Sequence, residues 1–171
     1  MGIEIERKFV VEGTGWREAA HEVIEMAQGY LNDAAAVNRG DQRASVRVRL
    51  EGEGARLNIK SREVGASRQE FEYPLPPEDA RALIALCVGG VVRKRRHLVR
   101  VEGMLWEIDE FLGENEGLVV AEVELESLDQ PIVLPAWAGR EVTHLPRYYN
   151  LNLAERPFSQ WSEGERAAED A

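Results

Sequence analysis

The chain has 171 residues, 30% charged and 44% hydrophobic, with a net charge of −10. That length makes one domain with a proper core the simplest arrangement; no apolar run approaches ~20 residues and no basic, apolar leader precedes Glu4, which excludes a membrane span and points to the cytoplasm. The acidic balance argues against a broad outer surface for nucleic-acid backbone, but not against a basic interior.

The first element is an alternating strand, Ile3 to Phe9. Successive side chains of an extended strand point to opposite faces, so Glu4, Glu6 and Lys8 line one side while Ile3, Ile5 and Phe9 line the other. By itself such a strand is read more simply as amphipathic, its charges in water. Thr14 then caps a short helix with Trp16, Ala19, Ala20 and Val23 on its apolar side, Met26 to Leu31 is extended, and Asn32 to Gly40 is a turn or loop. Strand patterns recur at Ala44 to Glu51, Arg56 to Arg62 and Ser67 to Leu75, an antiparallel meander with glycine turns. Pro74, Pro76 and Pro77 stop it, and Glu78 to Val88 reads as a helix ended by Gly89 and Gly90. Val91 to Val101, Leu105 to Phe111 and Leu118 to Leu128 bring the count to about eight strands. Short helices are expected at Pro135 to Gly139 and Tyr149 to Ala154. A single domain over residues 1–158 then gives way to a polar, mobile tail from Ser159 to Ala171.

Nearly every strand repeats the first one's division. Arg47 and Arg49 share a face, as do Lys60 and Arg62; Arg68, Glu70 and Glu72; Lys94 and Arg96; Glu107 and Asp109; and Glu122, Glu124 and Glu126. Opposite them lie Val46, Val48 and Leu50, Leu57 and Ile59, Phe71 and Tyr73, Trp106 and Ile108, and Val123 and Leu125. The sheet is either open with its charges outside or closed into a barrel with its charges inside. At about eight strands a barrel interior is just wide enough for side chains and one small ligand.

Charge placement favours the barrel. The chain has three lysines, Lys8, Lys60 and Lys94, each in a strand beside another charge at spacing two. The acids Glu4, Glu6, Glu122 and Glu124 come from the first and last strands, and the bases Arg47, Arg49, Lys60, Arg62, Lys94 and Arg96 from the middle ones. A solubilising face intersperses both signs. Carboxylates within about 4 Å repel by something like 4 kcal/mol at an effective dielectric of about 20, so the acidic set requires protons or a cation and the basic set an anion. A polyphosphate bridged to Mg2+ or Mn2+ satisfies both. Cys87 lies in an apolar run and reads as a packing residue, and His21, His97 and His144 are scattered at no ligand spacing.

The Glu-x-Glu-x-Lys of Glu4 to Lys8 resembles the signature of the CYTH superfamily, the triphosphate tunnel metalloenzymes. The resemblance continues through Gln28 to Leu31, Val46 to Arg49, Ile59 to Ser61, Arg68 to Glu72, Lys94 to Arg96, Trp106 to Asp109, Ala121 to Glu124 and Arg147 to Asn150. It implies a mainly β, α+β fold: an eight-stranded antiparallel closed barrel, or tunnel, with helices packed outside. It also implies metal-dependent hydrolysis of the terminal phosphoanhydride of triphosphate compounds, above all inorganic tripolyphosphate, as in short bacterial members.

By that resemblance Glu4, Glu6, Glu122 and Glu124 bind the metal, and Glu70, Glu72 and Asp109 hold a second ion or orient water. Arg47, Arg49, Lys60, Arg62 and Arg96 clamp the substrate; Lys8, Tyr30 and Lys94 are the catalytic set, with the Tyr30 hydroxyl contacting Lys8. Pro146, Tyr149 and Leu151 depart from the basic residues expected near the end. The expected partner is a small anionic triphosphate, with no nucleic acid and no membrane, for a monomer or homodimer. The competing readings are a class IV adenylate cyclase, a nucleoside or thiamine triphosphatase, and a non-catalytic polyphosphate-binding module.

Overall fold

A computed structural model describes residues 2–171. Its strands are β1 (Gly2–Val11), β2 (Glu22–Tyr30), β3 (Ala44–Glu51), β4 (Gly54–Ser61), β5 (Ser67–Pro74), β6 (Val88–Val101), β7 (Met104–Phe111), β8 (Val119–Glu124) and β9 (Ala138–Glu141). The first eight form an all-antiparallel closed barrel in the order β5, β4, β3, β2, β6, β7, β8, β1, with β1 returning to β5. One edge of β1 serves β8 through Glu6 to Val10. The other pairs with β5 over Gly2 to Ile5 and then with β9 from Phe9 to Val11, so the short C-terminal strand takes over the seam where β5 leaves it.

Five short helices decorate the outside: α1 (Trp16–Ala19), α2 (Ala34–Arg39), α3 (Pro77–Ile84), α4 (Asn150–Glu155) and α5 (Glu163–Arg166). Among the described residues none is long and apolar enough to cross a membrane. The apolar alternation of the strands is buried beneath this outer layer in three clusters. One joins Phe9, Trp106, Ile108 and Val123 to Trp16 of α1; a second packs Val48 and Ala55 on α3; the third gathers Val92, Phe111 and Val120 with Leu153 of α4. The barrel is therefore apolar outside and ionic inside, which is the arrangement the sign segregation requires.

Several local expectations differ from the structure. Asn32 to Gly40 contains α2, because Asp33 accepts a hydrogen bond from the Ala35 amide and Gly40 ends the helix at φ 86°. Helix α1 stops at Ala19 and lacks a side-chain cap at its start, leaving Val23 in β2. Helix α3 ends at Ile84, and β6 begins at Val88 because Tyr30 pairs with it. There Gly89, at φ 75°, passes Ala154 so closely that a Cβ would lie 3.1 Å from its carbonyl oxygen. Pro135 to Gly139 forms a turn leading into β9.

The stretch beyond Ser159, expected to be mobile, packs against the barrel. Trp161 and Ala168 are buried in the third cluster, Trp161 stacks edge-on against Tyr148 at 4.9 Å, and Asp170 pairs with Arg147 at 2.5 Å. Ser162 and Glu165 form a reciprocal capping box on α5. Two large apolar contacts and these caps outweigh the segment's polar average.

Candidate functional site

The polar faces of the eight strands meet around a cavity of about 730 Å3. Every residue expected in the site lines it except Asp109. Register explains how residues so far apart in sequence converge, since β1 and β8 set Glu6 opposite Glu124 and Lys8 opposite Glu122.

The acids and lysines form mixed pairs. The Lys8 ammonium lies 2.8 Å from Glu6 and 2.5 Å from Glu122, and that of Lys60 lies 2.8 Å from Glu4. Burial acts most strongly against the charge of Glu6 and Glu122, yet the surrounding cations, Lys8 foremost with Lys60 at Glu6 and Arg96 and Lys94 at Glu122, together hold both below the usual carboxylate range. Glu4 goes the other way, pushed up to about 7 by burial and by Glu6 in spite of Lys60. Among the described residues, Lys8 donates to these two carboxylates and not to the Tyr30 hydroxyl. The expected Tyr30 to Lys8 contact is therefore absent, because Glu122 stands directly across the register from Lys8; Tyr30 is buried in the cavity wall.

On β6 and β7 the order is reversed, with bases facing the cavity and an acid behind them. Asp109 is fully buried, its Oδ1 accepting from Arg96 Nε at 2.7 Å and its Oδ2 from Lys94 Nζ at 2.6 Å. It is placed as a counter-ion behind the wall, whereas Glu70 and Glu72 face the cavity and accept from Asn58 at 3.0 and 2.9 Å. Burial lowers Lys94 to about 8, Asp109 opposing and Arg96 assisting. Arg96 also contacts Glu107 and Glu122.

Among the described residues, three arginines that line the cavity, Arg47, Arg62 and Arg68, have no carboxylate in ion-pair range. Arg47 and Arg49 are buried with their Nε atoms unpartnered, and Arg49 has one carboxylate, Glu51 at 2.8 Å. Burial and then the neighbouring Arg47 and Arg96 depress Arg49 below an ordinary guanidinium, the mark of crowded positive charge. Arg62 donates to the Asn38 carbonyl at 2.7 Å. Arg68, which sequence reading did not select, has a buried unpartnered Nε and stacks over Tyr149 at 4.9 Å. Its spacing of two from Glu70 was the available signal.

The C-terminal segment adds Pro146, Tyr149, Asn150 and Leu151 to the cavity lining. Tyr149 donates to the Thr143 carbonyl at 2.7 Å, and Asn150 accepts from Gln28 and Lys94. Asn150 and Glu107 are further cavity residues; both lie in stretches that carry the family resemblance, which assigned them no role. His97 packs on Trp16 at 4.8 Å, and among the described residues no histidine lines the cavity. Cys87 is half-buried, its thiol donating to the Leu83 carbonyl.

Among the described residues no three acidic, histidine or cysteine side chains converge on a point that could hold an ion. Each of Glu4, Glu6 and Glu122 is turned to a cation instead. The donor chemistry nonetheless fits a hard divalent cation, being four carboxylates from two adjoining strands with no nitrogen or sulfur ligand among them.

The family model described as the CYTH domain matches residues 2–156. The chain is 42% identical over 164 residues to the inorganic triphosphatase of Acetivibrio thermocellus, covering 95% of this chain and 100% of that one. It is 34% identical over 154 residues to the inorganic triphosphatase of Nitrosomonas europaea, covering 88% and 96%. The crystal structure of the inorganic triphosphatase NE1496 superimposes with a TM-score of 0.63 at 31% identity, covering 90% of this chain and 95% of that one.

Proposed function

This chain belongs to the CYTH domain family, and from that premise we propose that it hydrolyses the terminal phosphoanhydride of inorganic tripolyphosphate to pyrophosphate and phosphate inside the barrel. Its relatives at 42% and 34% identity are inorganic triphosphatases. The observation that carries the reading is that Arg47 and Arg49, buried on β3 with unpartnered Nε atoms, share one cavity with the lysine-paired acids Glu4, Glu6 and Glu122 of β1 and β8.

Each residue type suits its part. The guanidinium forks of Arg47, Arg49, Arg62 and Arg96 present parallel donors to phosphate oxygens, and Lys8, Lys60 and Lys94 are point charges that follow the chain. Donors already fixed in a low-dielectric cavity stabilise charge that spreads over the equatorial oxygens as the terminal bond breaks. Family membership brings metal dependence. Glu4, Glu6, Glu122 and Glu124 would hold Mg2+ or Mn2+, which supplies Lewis-acid polarisation and a more acidic water. Glu70 and Glu72 face the same space and can orient water, while Asp109 keeps Lys94 and Arg96 charged and in place. Tyr30 lines the same cavity. The reading includes a cytoplasmic protein, monomer or homodimer, with no nucleic-acid or membrane partner.

The test is a panel of tripolyphosphate, ATP and thiamine triphosphate with Mg2+ or Mn2+, quantifying orthophosphate, pyrophosphate and cyclic AMP. Orthophosphate and pyrophosphate from tripolyphosphate in equal amounts are expected. Cyclic AMP from ATP would replace the reading with a cyclase, and no product from any substrate would replace it with a binding module.

A further inference from the structure

We infer that Asn150 is a positioning residue, which holds the Lys94 ammonium so that its remaining N–H is aimed at the phosphate chain. The inference rests on the triphosphatase reading and deepens it.

An ammonium group has three donors and no acceptor. In Lys94 one is given to Asp109 Oδ2 at 2.6 Å and a second to Asn150 Oδ1 at 3.1 Å. Lys94 is almost fully buried yet lines the cavity, and among the described residues these are its two hydrogen-bond acceptors. Two fixed acceptors stop rotation about the Cε–Nζ bond, and the third donor is then committed to the cavity side.

Asn150 is itself held. Its Oδ1 also accepts from Gln28 Nε2 at 3.0 Å, and Gln28 is completely buried. Because Lys94 can only donate, the oxygen of the Asn150 amide, not its nitrogen, must face it. Asn150 opens α4, whose Leu153 is buried against Val92 and Trp161. The perch is rigid.

This gives the C-terminal segment a task that its composition hides. Pro146, Tyr149 and Leu151 bring no charge to the cavity. The segment acts through a lysine of β6 instead, and a neutral acceptor is the right partner there. A second carboxylate beside Asp109 would compete with phosphate for the ammonium.

The test is a mutant cycle read by titration calorimetry of tripolyphosphate into metal-free protein, where no turnover intrudes. Asn150→Ala is expected to weaken binding ~10-fold in the wild-type background and less than ~2-fold in the Lys94→Met background, since the hydrogen bond acts only through Lys94. Equal losses in both backgrounds would reveal a merely structural residue and overturn the inference, as would no loss in the wild-type background. Asn150→Asp keeps the shape and adds the competing carboxylate; it is expected to bind more weakly than Asn150→Ala, and tighter binding overturns the inference even where Lys94→Met does not fold. Wild-type protein that fails to bind tripolyphosphate sinks the proposed function along with this inference. Wild-type binding with an unaffected Asn150→Ala sinks the inference alone.

Discussion

The Lys8 ammonium sits between two carboxylates on neighbouring strands, 2.8 Å from Glu6 and 2.5 Å from Glu122. Burial works against its charge, but the two acids, Glu122 foremost, hold it well above an ordinary lysine. One cation thus leads in keeping two buried acids ionised, with Lys60 assisting at Glu6 and Arg96 and Lys94 at Glu122.

Replacing Lys8 by Met should therefore destabilise the metal-free protein. Removing one partner of a buried ion pair costs about 3–5 kcal/mol, because the remaining charges lose their compensation. Glu6 and Glu122 have folded values below their ordinary 4.5, so their contribution is present above about pH 4.5 and is lost as pH falls through the folded values. The stability gap between wild type and Lys8→Met, measured by urea denaturation, should accordingly be full at pH 7 and shrink below pH 4.5. A gap that is unchanged at acid pH would contradict the pairing.

The same substitution should help a metal. With Lys8 gone, Glu6 loses its paired ammonium and Glu122 keeps only the longer Arg96 contact at 3.3 Å, and Mn2+ should bind the phosphate-free protein roughly 10-fold more tightly by electron paramagnetic resonance titration. Turnover should nevertheless fall, since Lys8 is also a phosphate donor. Weaker Mn2+ binding in the variant would argue that the ion sits elsewhere.

Lys94 predicts an alkaline limb. Burial depresses it to about 8, so between pH 8 and its ordinary 10.5 the unfolded chain binds the extra proton and the neutral folded form is no longer penalised. The penalty of burying its charge is greatest below pH 8 and disappears as pH rises towards 10.5. For activity the same titration removes a phosphate-binding charge, so kcat/KM should decline above about pH 8. The kcat limb should lie higher, because bound triphosphate favours the ammonium. Lys94→Arg should carry its charge throughout and lose the limb, whatever its absolute rate.

Trp161 tests the packed tail. It is buried and meets Tyr148 at 4.9 Å and Phe158 at 5.1 Å. Trp161→Ala should cost about 3–5 kcal/mol in chemical denaturation, the usual penalty for emptying an aromatic site. A loss below about 1 kcal/mol would return this segment to the status of a loose appendage.

Glu4, Glu6 and Lys8 could be assigned to one face from Ile3 to Phe9 alone, because an extended backbone turns alternate side chains to alternate sides whatever the strand later pairs with. The sequestering of acids on β1 and β8 and bases on β3, β4 and β6 was legible for the same reason, and it pointed to a charged interior. Other features were not. Trp161 and Ala168 sit in a polar stretch, and nothing local discloses that the barrel end offers them a cleft. Asp109 has the spacing of a cavity residue, yet it lies behind Lys94 and Arg96.

What the order of residues determined by itself was the division of each strand into an ionic and an apolar side, with the kind of ligand such a lining demands. Only the tertiary structure decided which cation answers which acid, which arginine donors are left over, and that Asn150 reaches Lys94 from 56 positions away. Facing is a property of a few consecutive dihedrals, whereas pairing depends on the register between strands and on where a helix docks, and those are settled by contacts between distant parts of the chain.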